Sequence, residues 1–389
     1  MISLYIHIPF CTSKCAYCSF NSMPIFQLEN YELQITNYMD ALKKEIDYYA
    51  ETLTDKALKT LYFGGGTPSK IGIFRIIDII EYIRTKFDFE ELAELSIELN
   101  PYPEEEVLNF VEVLNKKYPK ISRLRYSFGI QSFDDEVLKT TGRAYTFGTI
   151  VEFLRALVKL KQDNNVFNFD FIAFGKFQVS KNGFKQLWHE FKREFFKKFL
   201  DSGYVDSLSV YTLENIKDKP CPAIYYGTDD EIIEEFLILK SVVEDSGFLR
   251  YEISNFARAG KASIHNMVYW NMEPYIGLGL SASSFFGNKR RTNTSDIKQY
   301  LEGKYIDEKE VHVLNASDLL IEEFFLRLRT TEGIADLLKF ISVLVPNYES
   351  LLETYMKAGL VDVYENRLQL TDEGMNVYNS IITDVLQKL

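Results

Sequence analysis

The first two thirds of the chain alternate strand-like and helix-like segments, and that order leaves few folds open. Residues 4–8, 61–63, 95–99, 124–130, 167–174 and 207–213 read as strands. Helical patterns lie between them at 31–53, 73–86, about 103–117, about 147–162 and about 181–201; in the first, Ile35, Met39, Leu42, Ile46 and Tyr49 fall on one face. Strands separated by helices predict a parallel sheet, curled or open, with right-handed crossovers. Chemistry in such barrels sits at the carboxyl ends of the strands. A cysteine loop, the run Gly64-Gly65-Gly66, Glu98, Gln131, Asp170 and Tyr211 all fall late in a strand or just past one.

The rest of the chain follows another pattern. Residues 214–226, with Asn215, Lys217, Pro220 and Pro222, read as a linker, 229–246 as a helix and 250–295 as irregular. From about 305 a small helical domain is expected. It ends in a winged-helix-like pattern, Ala358-Gly359-Leu360-Val361 then Leu368-Gln369-Leu370-Thr371, with Gly374 in the final helix. The division predicted is 1–215, 216–300 and 301–389.

A net charge of −12 argues against general nucleic-acid binding, which needs clustered Lys and Arg. No basic leader and no run of about 18 apolar residues is present, so a cytoplasmic protein without a membrane span is expected.

Of the four cysteines, Cys11, Cys15 and Cys18 lie within eight residues and Cys221 stands far off. Such clustering points to metal or redox chemistry, not to a disulfide framework. Cys11-x3-Cys15-x2-Cys18 puts three thiolates on one short loop. Iron–sulfur clusters are usually held by four, so three leave one iron open. Zinc with a fourth ligand from His7 or Cys221, and a closed four-cysteine cluster using Cys221, stay open on the residues alone.

With Tyr17 just before the third cysteine, this motif resembles the signature of the radical S-adenosylmethionine (SAM) superfamily. The resemblance implies a partial (βα)6 barrel with a [4Fe–4S] cluster whose fourth iron is chelated by SAM. It also implies that cluster reduction cleaves SAM to a 5′-deoxyadenosyl radical. Gly64-Gly65-Gly66-Thr67-Pro68 resembles the glycine motif that lines SAM, where glycine admits close backbone approach and free N–H groups.

A narrower resemblance spans nearly the whole chain, to the group that contains oxygen-independent coproporphyrinogen III dehydrogenase (HemN) and the HemW haem chaperones. It is carried by Tyr5 to Cys11, Gly64 to Ser69, Ile97 to Pro101, Ser127 to Phe133, Gly142-Arg143, Tyr251 to Ala257, His265-Asn266-x-x-Tyr269-Trp270 and Leu328 to Gly333. By position it implies a SAM pocket of Tyr5, Gly65, Gly66, Thr67, Glu98, Gln131, Arg143 and Asp170, with Tyr17 beside it. Glu98 and Asp170 would accept from ribose or amine groups, and Arg143 would hold a carboxylate.

His265, Tyr269 and Trp270 match the motif proposed to bind haem, with the imidazole on iron and the rings stacked on the porphyrin. Phe20 stands where the dehydrogenase has a further cysteine, which favours the HemW side. Two histidines usual in the group are replaced, one by Tyr145 and one by Ser283.

The function implied is a haem chaperone that binds cluster, SAM and haem, served by a reductant protein and delivering haem to an acceptor protein. A radical SAM enzyme acting on a tetrapyrrole and a closed-cluster electron carrier are the alternatives.

Overall fold

The computed structural model describes residues 1–176, 178–179, 185–186, 190–213, 227–340 and 348–386. Six strands build the barrel: β1 (Ile2–Ile8), β2 (Leu58–Gly65), β3 (Glu94–Leu99), β4 (Leu124–Gln131), β5 (Asn165–Ala173) and β6 (Ser207–Thr212). Each pairs in parallel with the next. The parallel sheet expected from the alternation is therefore present, in the partial (βα)6 form that the resemblance implied. The helix expected at 181–201 is described as Glu190–Asp201, and the linker with Cys221 lies outside the described residues.

Successive strand residues point to opposite faces, and the chain uses this in an unusual way for a barrel. Leu4, Ile6, Leu61, Phe63, Ile97, Phe128, Phe169 and Val210 face outward and are buried beneath the helices. The inner face is polar. Arg125 donates to Ser207 at 2.8 Å, Asn168 to Ser127 at 2.7 Å and to Ser209 at 3.1 Å, and Ser127 to Asp170 at 3.1 Å. The apolar core thus lies between sheet and helices, and the lumen is left for hydrogen-bonding groups.

The segment 250–295, expected to be irregular, is ordered. It forms β7 (Leu249–Arg250), β8 (Asn255–Ala257), β9 (Tyr275–Leu278), β10 (Ser283–Phe286) and β11 (Lys289–Asn293), with the helix Ile264–Trp270. With β12 (Ile306–Val313) these complete one twelve-stranded sheet. β8 adds antiparallel to β6 at one edge, and β9 adds parallel to β1 at the other. These strands are short, and β11 is Lys-Arg-Arg-Thr-Asn. They lack the apolar alternation that marks a strand from sequence and exist because the barrel edges supply partners.

A second core holds Phe324, Leu328, Ile334, Leu368 and Ile381. Around it lie the helices Ala316–Leu328, Tyr348–Lys357 and Tyr378–Leu386 and the hairpin of β13 (Val361–Tyr364) and β14 (Arg367–Leu370). This second core has the helical, winged-helix-like make-up expected of the C-terminal region, but it begins after β12, which belongs to the large sheet. Among the described residues no helix is long and apolar enough to cross a membrane.

Candidate functional site

A cavity of about 530 Å³ opens at the carboxyl ends of the barrel strands. Cys11, Cys15, Tyr17 and Cys18 line it from the loop after β1, and Gly65, Gly66 and Thr67 from the end of β2. Glu98, Gln131, Asp170 and Arg143 complete it. The structure thus brings together every residue assigned to cluster and SAM by resemblance except Tyr5. Tyr5 points into a different cleft, and its hydroxyl lies 3.1 Å from His7 Nδ1.

The three thiols are free and half-buried. Burial pushes the Cys11 and Cys18 thiols up, against hydrogen bonds from Thr67 and Ser22 at Cys11 and from the Phe20 backbone at Cys18; a bound cation would favour their thiolates. Among the described residues no three His, Cys, Asp or Glu converge closely enough to hold one metal ion. A zinc site needs sulfurs at about 2.3 Å from one centre. His7 is no spare ligand either, since its Nε2 is bonded to the Asn21 carbonyl oxygen at 2.9 Å.

The glycine run works differently from the expectation. Its amides are not free: Gly65 N donates to Glu98 Oε2 at 3.1 Å, Gly66 N to the Ile8 carbonyl at 2.8 Å and Thr67 N to the Phe10 carbonyl at 2.8 Å. A Cβ on Gly66 would sit 2.7 Å from the Ile8 oxygen and 2.8 Å from the Phe10 oxygen. The missing side chains let β2 clasp the base of the cysteine loop. Gly65, at φ 102°, also leaves room for the His7 ring.

A belt of hydrogen bonds rims the cavity. Thr67 Oγ1 donates to Cys11 Sγ at 3.6 Å, Asn100 Nδ2 to Thr67 Oγ1 at 3.0 Å, and Arg143 Nη1 to Asn100 Oδ1 at 2.8 Å. Arg143 Nη2 donates to the Tyr17 hydroxyl, between the second and third cysteines. Sequence reasoning missed Asn100 as a site residue, taking Ile97 to Pro101 as a stretch that carries the resemblance and assigning a role only to Glu98 within it. Its place one residue beyond β3, two after Glu98, was the available signal. Tyr145, in place of a usual histidine, donates to the Gly129 carbonyl at 2.6 Å and lies under the Arg143 guanidinium at 5.8 Å.

Two carboxyls face the cavity from the lumen. Burial pushes Glu98 up to about 7, against the hydrogen bond from Tyr62 at 2.7 Å. Asp170 is also raised by burial, although Ser209, Arg125, Ser127 and Asn168 oppose the shift. A ligand bringing positive charge or hydroxyl donors here would be met by two acceptors that burial has deprived of water.

A second cleft, of about 780 Å³, runs along β1 from Phe20 and Asn21 to Tyr269 and Trp270. Tyr5, Tyr275, Arg290 and Phe325 also line it. His265 does not. Its Nδ1 lies 2.7 Å from Thr60 Oγ1 and its Nε2 2.7 Å from the Tyr269 hydroxyl, and burial lowers its pKa to about 4. The neutral imidazole therefore serves as the back wall behind Tyr269, with both nitrogens engaged. Trp270 Nε1 is buried without a partner, and Arg329 from the C-terminal domain covers the indole at 4.4 Å.

Comparison with known proteins agrees with this geometry. The radical SAM superfamily pattern matches residues 5–178. The haem chaperone HemW of Bacillus subtilis is 28% identical, with 100% of each chain covered. That of Synechocystis sp. is 30% identical over 85% of this chain and 78% of its own. The coproporphyrinogen III oxidase HemN of Escherichia coli shares the fold, at a TM-score of 0.77 and 23% identity, over 98% of this chain and 89% of that one. Three thiols on one loop, clasped by a glycine strand under a polar lumen, fit that family's centre, and the chain belongs to the radical SAM superfamily and, within it, to the HemW family.

Proposed function

We propose that this chain is a haem carrier. Cys11, Cys15 and Cys18 hold a [4Fe–4S] cluster, SAM occupies the cavity beside it, and haem lies in the aromatic cleft for delivery to an acceptor protein. Superfamily membership implies the cluster and SAM, and curated relatives are named haem chaperones. In this reading residues 1–215 carry cluster and SAM, 216–300 carry the haem motif, and 301–389 close the cleft. A reductant protein and a cytoplasmic location belong to the same reading.

The observation that carries it is a second cleft, which adjoins the thiol cavity at Ser19 and Phe20 and is lined by the aromatic side chains of Tyr5, Tyr269, Trp270 and Tyr275. The space of about 780 Å³ suits a ligand of macrocycle size. Arg290, held by Glu322 at 2.9 Å and the Tyr275 hydroxyl at 2.9 Å, supplies a fixed cation toward a ligand carboxylate. In the thiol cavity the bound cluster would supply one electron toward the SAM sulfonium. The chain's own groups bind and orient: Glu98 and Asp170 accept, and Arg143 keeps Tyr17 and Asn100 in place.

Anaerobic reconstitution followed by haemin titration tests the reading. We expect iron and sulfide in a four-to-four ratio and a Soret band that saturates at micromolar haemin. Trp270→Ala should weaken haemin at least ten-fold while the iron content stays. His265→Ala also removes the Tyr269 anchor, so the axial-ligand signature in the EPR spectrum decides whether that imidazole reaches iron. Absence of haemin binding sinks the carrier. Haem-dependent release of 5′-deoxyadenosine would favour an enzyme acting on the tetrapyrrole.

A further inference from the structure

Tyr62 stands between the two cavities and lines neither. Its hydroxyl donates to Glu98 Oε1 at 2.7 Å, in the wall of the thiol cavity. Its ring stacks on His265, with centroids 4.9 Å apart and planes 30° apart, and lies 5.9 Å from the Tyr5 ring. His265 meets the Tyr269 hydroxyl at 2.7 Å. Tyr5 and Tyr269 both face the aromatic cleft. One side chain therefore touches an acceptor of the first site and the support of the second. The other oxygen of Glu98 takes the Gly65 amide, which ties the same carboxylate to the strand that clasps the cysteine loop.

We infer that the two cavities are coupled through Tyr62, so that SAM in the thiol cavity tightens the binding of a flat tetrapyrrole in the aromatic cleft, and the reverse. The inference rests on the two-site reading given above. A cationic ligand beside Glu98 holds that carboxyl ionised. An ionised carboxylate accepts a phenol hydrogen bond more strongly than the neutral acid does. The stronger bond fixes the Tyr62 ring against His265, and the fixed imidazole fixes Tyr269, so a ligand arriving in the cleft loses less freedom to disordered rings. Linkage makes the effect reciprocal.

The test uses the anaerobically reconstituted full chain. Haemin affinity is read from the Soret band with and without saturating SAM. SAM affinity is read by equilibrium dialysis with and without haemin, and both are repeated in Tyr62→Phe. In the unmodified chain each ligand should tighten the other by one common factor of about five or more, the lower range of measured couplings. Tyr62→Phe keeps the ring and loses the hydroxyl, so both ligands should still bind and the factor should fall to about one. If both bind the unmodified chain with a factor of one, the coupling is overturned and the two-site reading survives. An undiminished factor in Tyr62→Phe overturns the route. If haemin does not bind at all, the carrier reading falls and the coupling with it. The reciprocity needs no variant, so a poorly folding Tyr62→Phe leaves the test intact.

Discussion

Glu94 is wholly buried at the start of β3, and its carboxylate organises the amino-terminal end of the barrel. It accepts from the Ser263 hydroxyl, the Ile264 amide and the His265 amide, each at 3.1 Å, and from Ser96 at 2.9 Å. The amino-terminal turn of the helix that carries Tyr269 and Trp270 is thus held by Glu94, with Thr60 holding His265 beside it. Glu94→Ala strands several buried donors, a loss on the order of 3–5 kcal/mol. We expect a lower urea midpoint together with weaker haemin binding. Unchanged haemin affinity in a destabilised Glu94→Ala would show that the helix keeps its seat by other contacts. At the opposite end, Asn100→Leu cuts the belt between Thr67 and Arg143. SAM affinity should fall roughly ten-fold, the equivalent of one charged hydrogen bond, with iron content retained. Equal SAM affinity in the variant would remove Asn100 from the site.

Between elements, the decisive contact is β2 against the base of the cysteine loop. Gly66→Ala would place a methyl group against two carbonyl oxygens, at 2.7 and 2.8 Å, that belong to the backbone leading into Cys11. Backbone cannot swing aside as a long side chain can, so the loop must move. Reconstituted iron content should drop by more than half while far-ultraviolet circular dichroism stays unchanged. Full iron content would mean that the clasp tolerates displacement. Much of this was legible in the sequence. The βα order pointed to a parallel sheet, curled or open, the resemblance to its partial-barrel form, and the cysteine spacing and strand-end positions to residues that line one cavity. The polar alternation Glu94-x-Ser96-x-Glu98 against Leu95-x-Ile97-x-Leu99 was equally legible and marks a lumen built for ligands. The rest depended on tertiary partners. The strands of 250–295 carry no apolar period of their own. The glycine amides could not be known to be engaged before β1 and β2 were paired. Tyr5 follows the inward register with His7, yet the neighbouring β9 and the helix Ala316–Leu328 turn that stretch of lumen into a second cleft.

Across the whole molecule, polar latches tie distant elements together. Arg250 and Lys240 both reach Asp372 of the C-terminal domain, and Glu45 joins the first helix, Tyr31–Thr52, to the far edge of the sheet. Glu45 accepts from the Gly279 amide at 2.8 Å, from Asn293 at 2.6 Å and from the Tyr300 hydroxyl at 2.6 Å. Burial pushes its carboxyl up from 4.5 to about 7 in spite of these donors. The folded chain therefore holds this proton more tightly than the unfolded chain. Between pH 4.5 and 7 folding takes up a proton, so this group's contribution is fully present at the acid end. It is lost as pH rises through the folded value and is level above it. The span corresponds to about 3 kcal/mol at roughly 1.4 kcal/mol per pH unit. Glu98 and Glu235 are raised to about 7 in the same way, so the slope of the unmodified chain alone assigns nothing. The difference from Glu45→Gln does, because that variant keeps an acceptor for Tyr300 and cannot titrate. Urea midpoints at pH 5 and pH 7.5 should diverge more in the unmodified chain than in Glu45→Gln. Parallel changes in the two proteins would mean that Glu45 is ionised throughout, with its three donors outweighing burial.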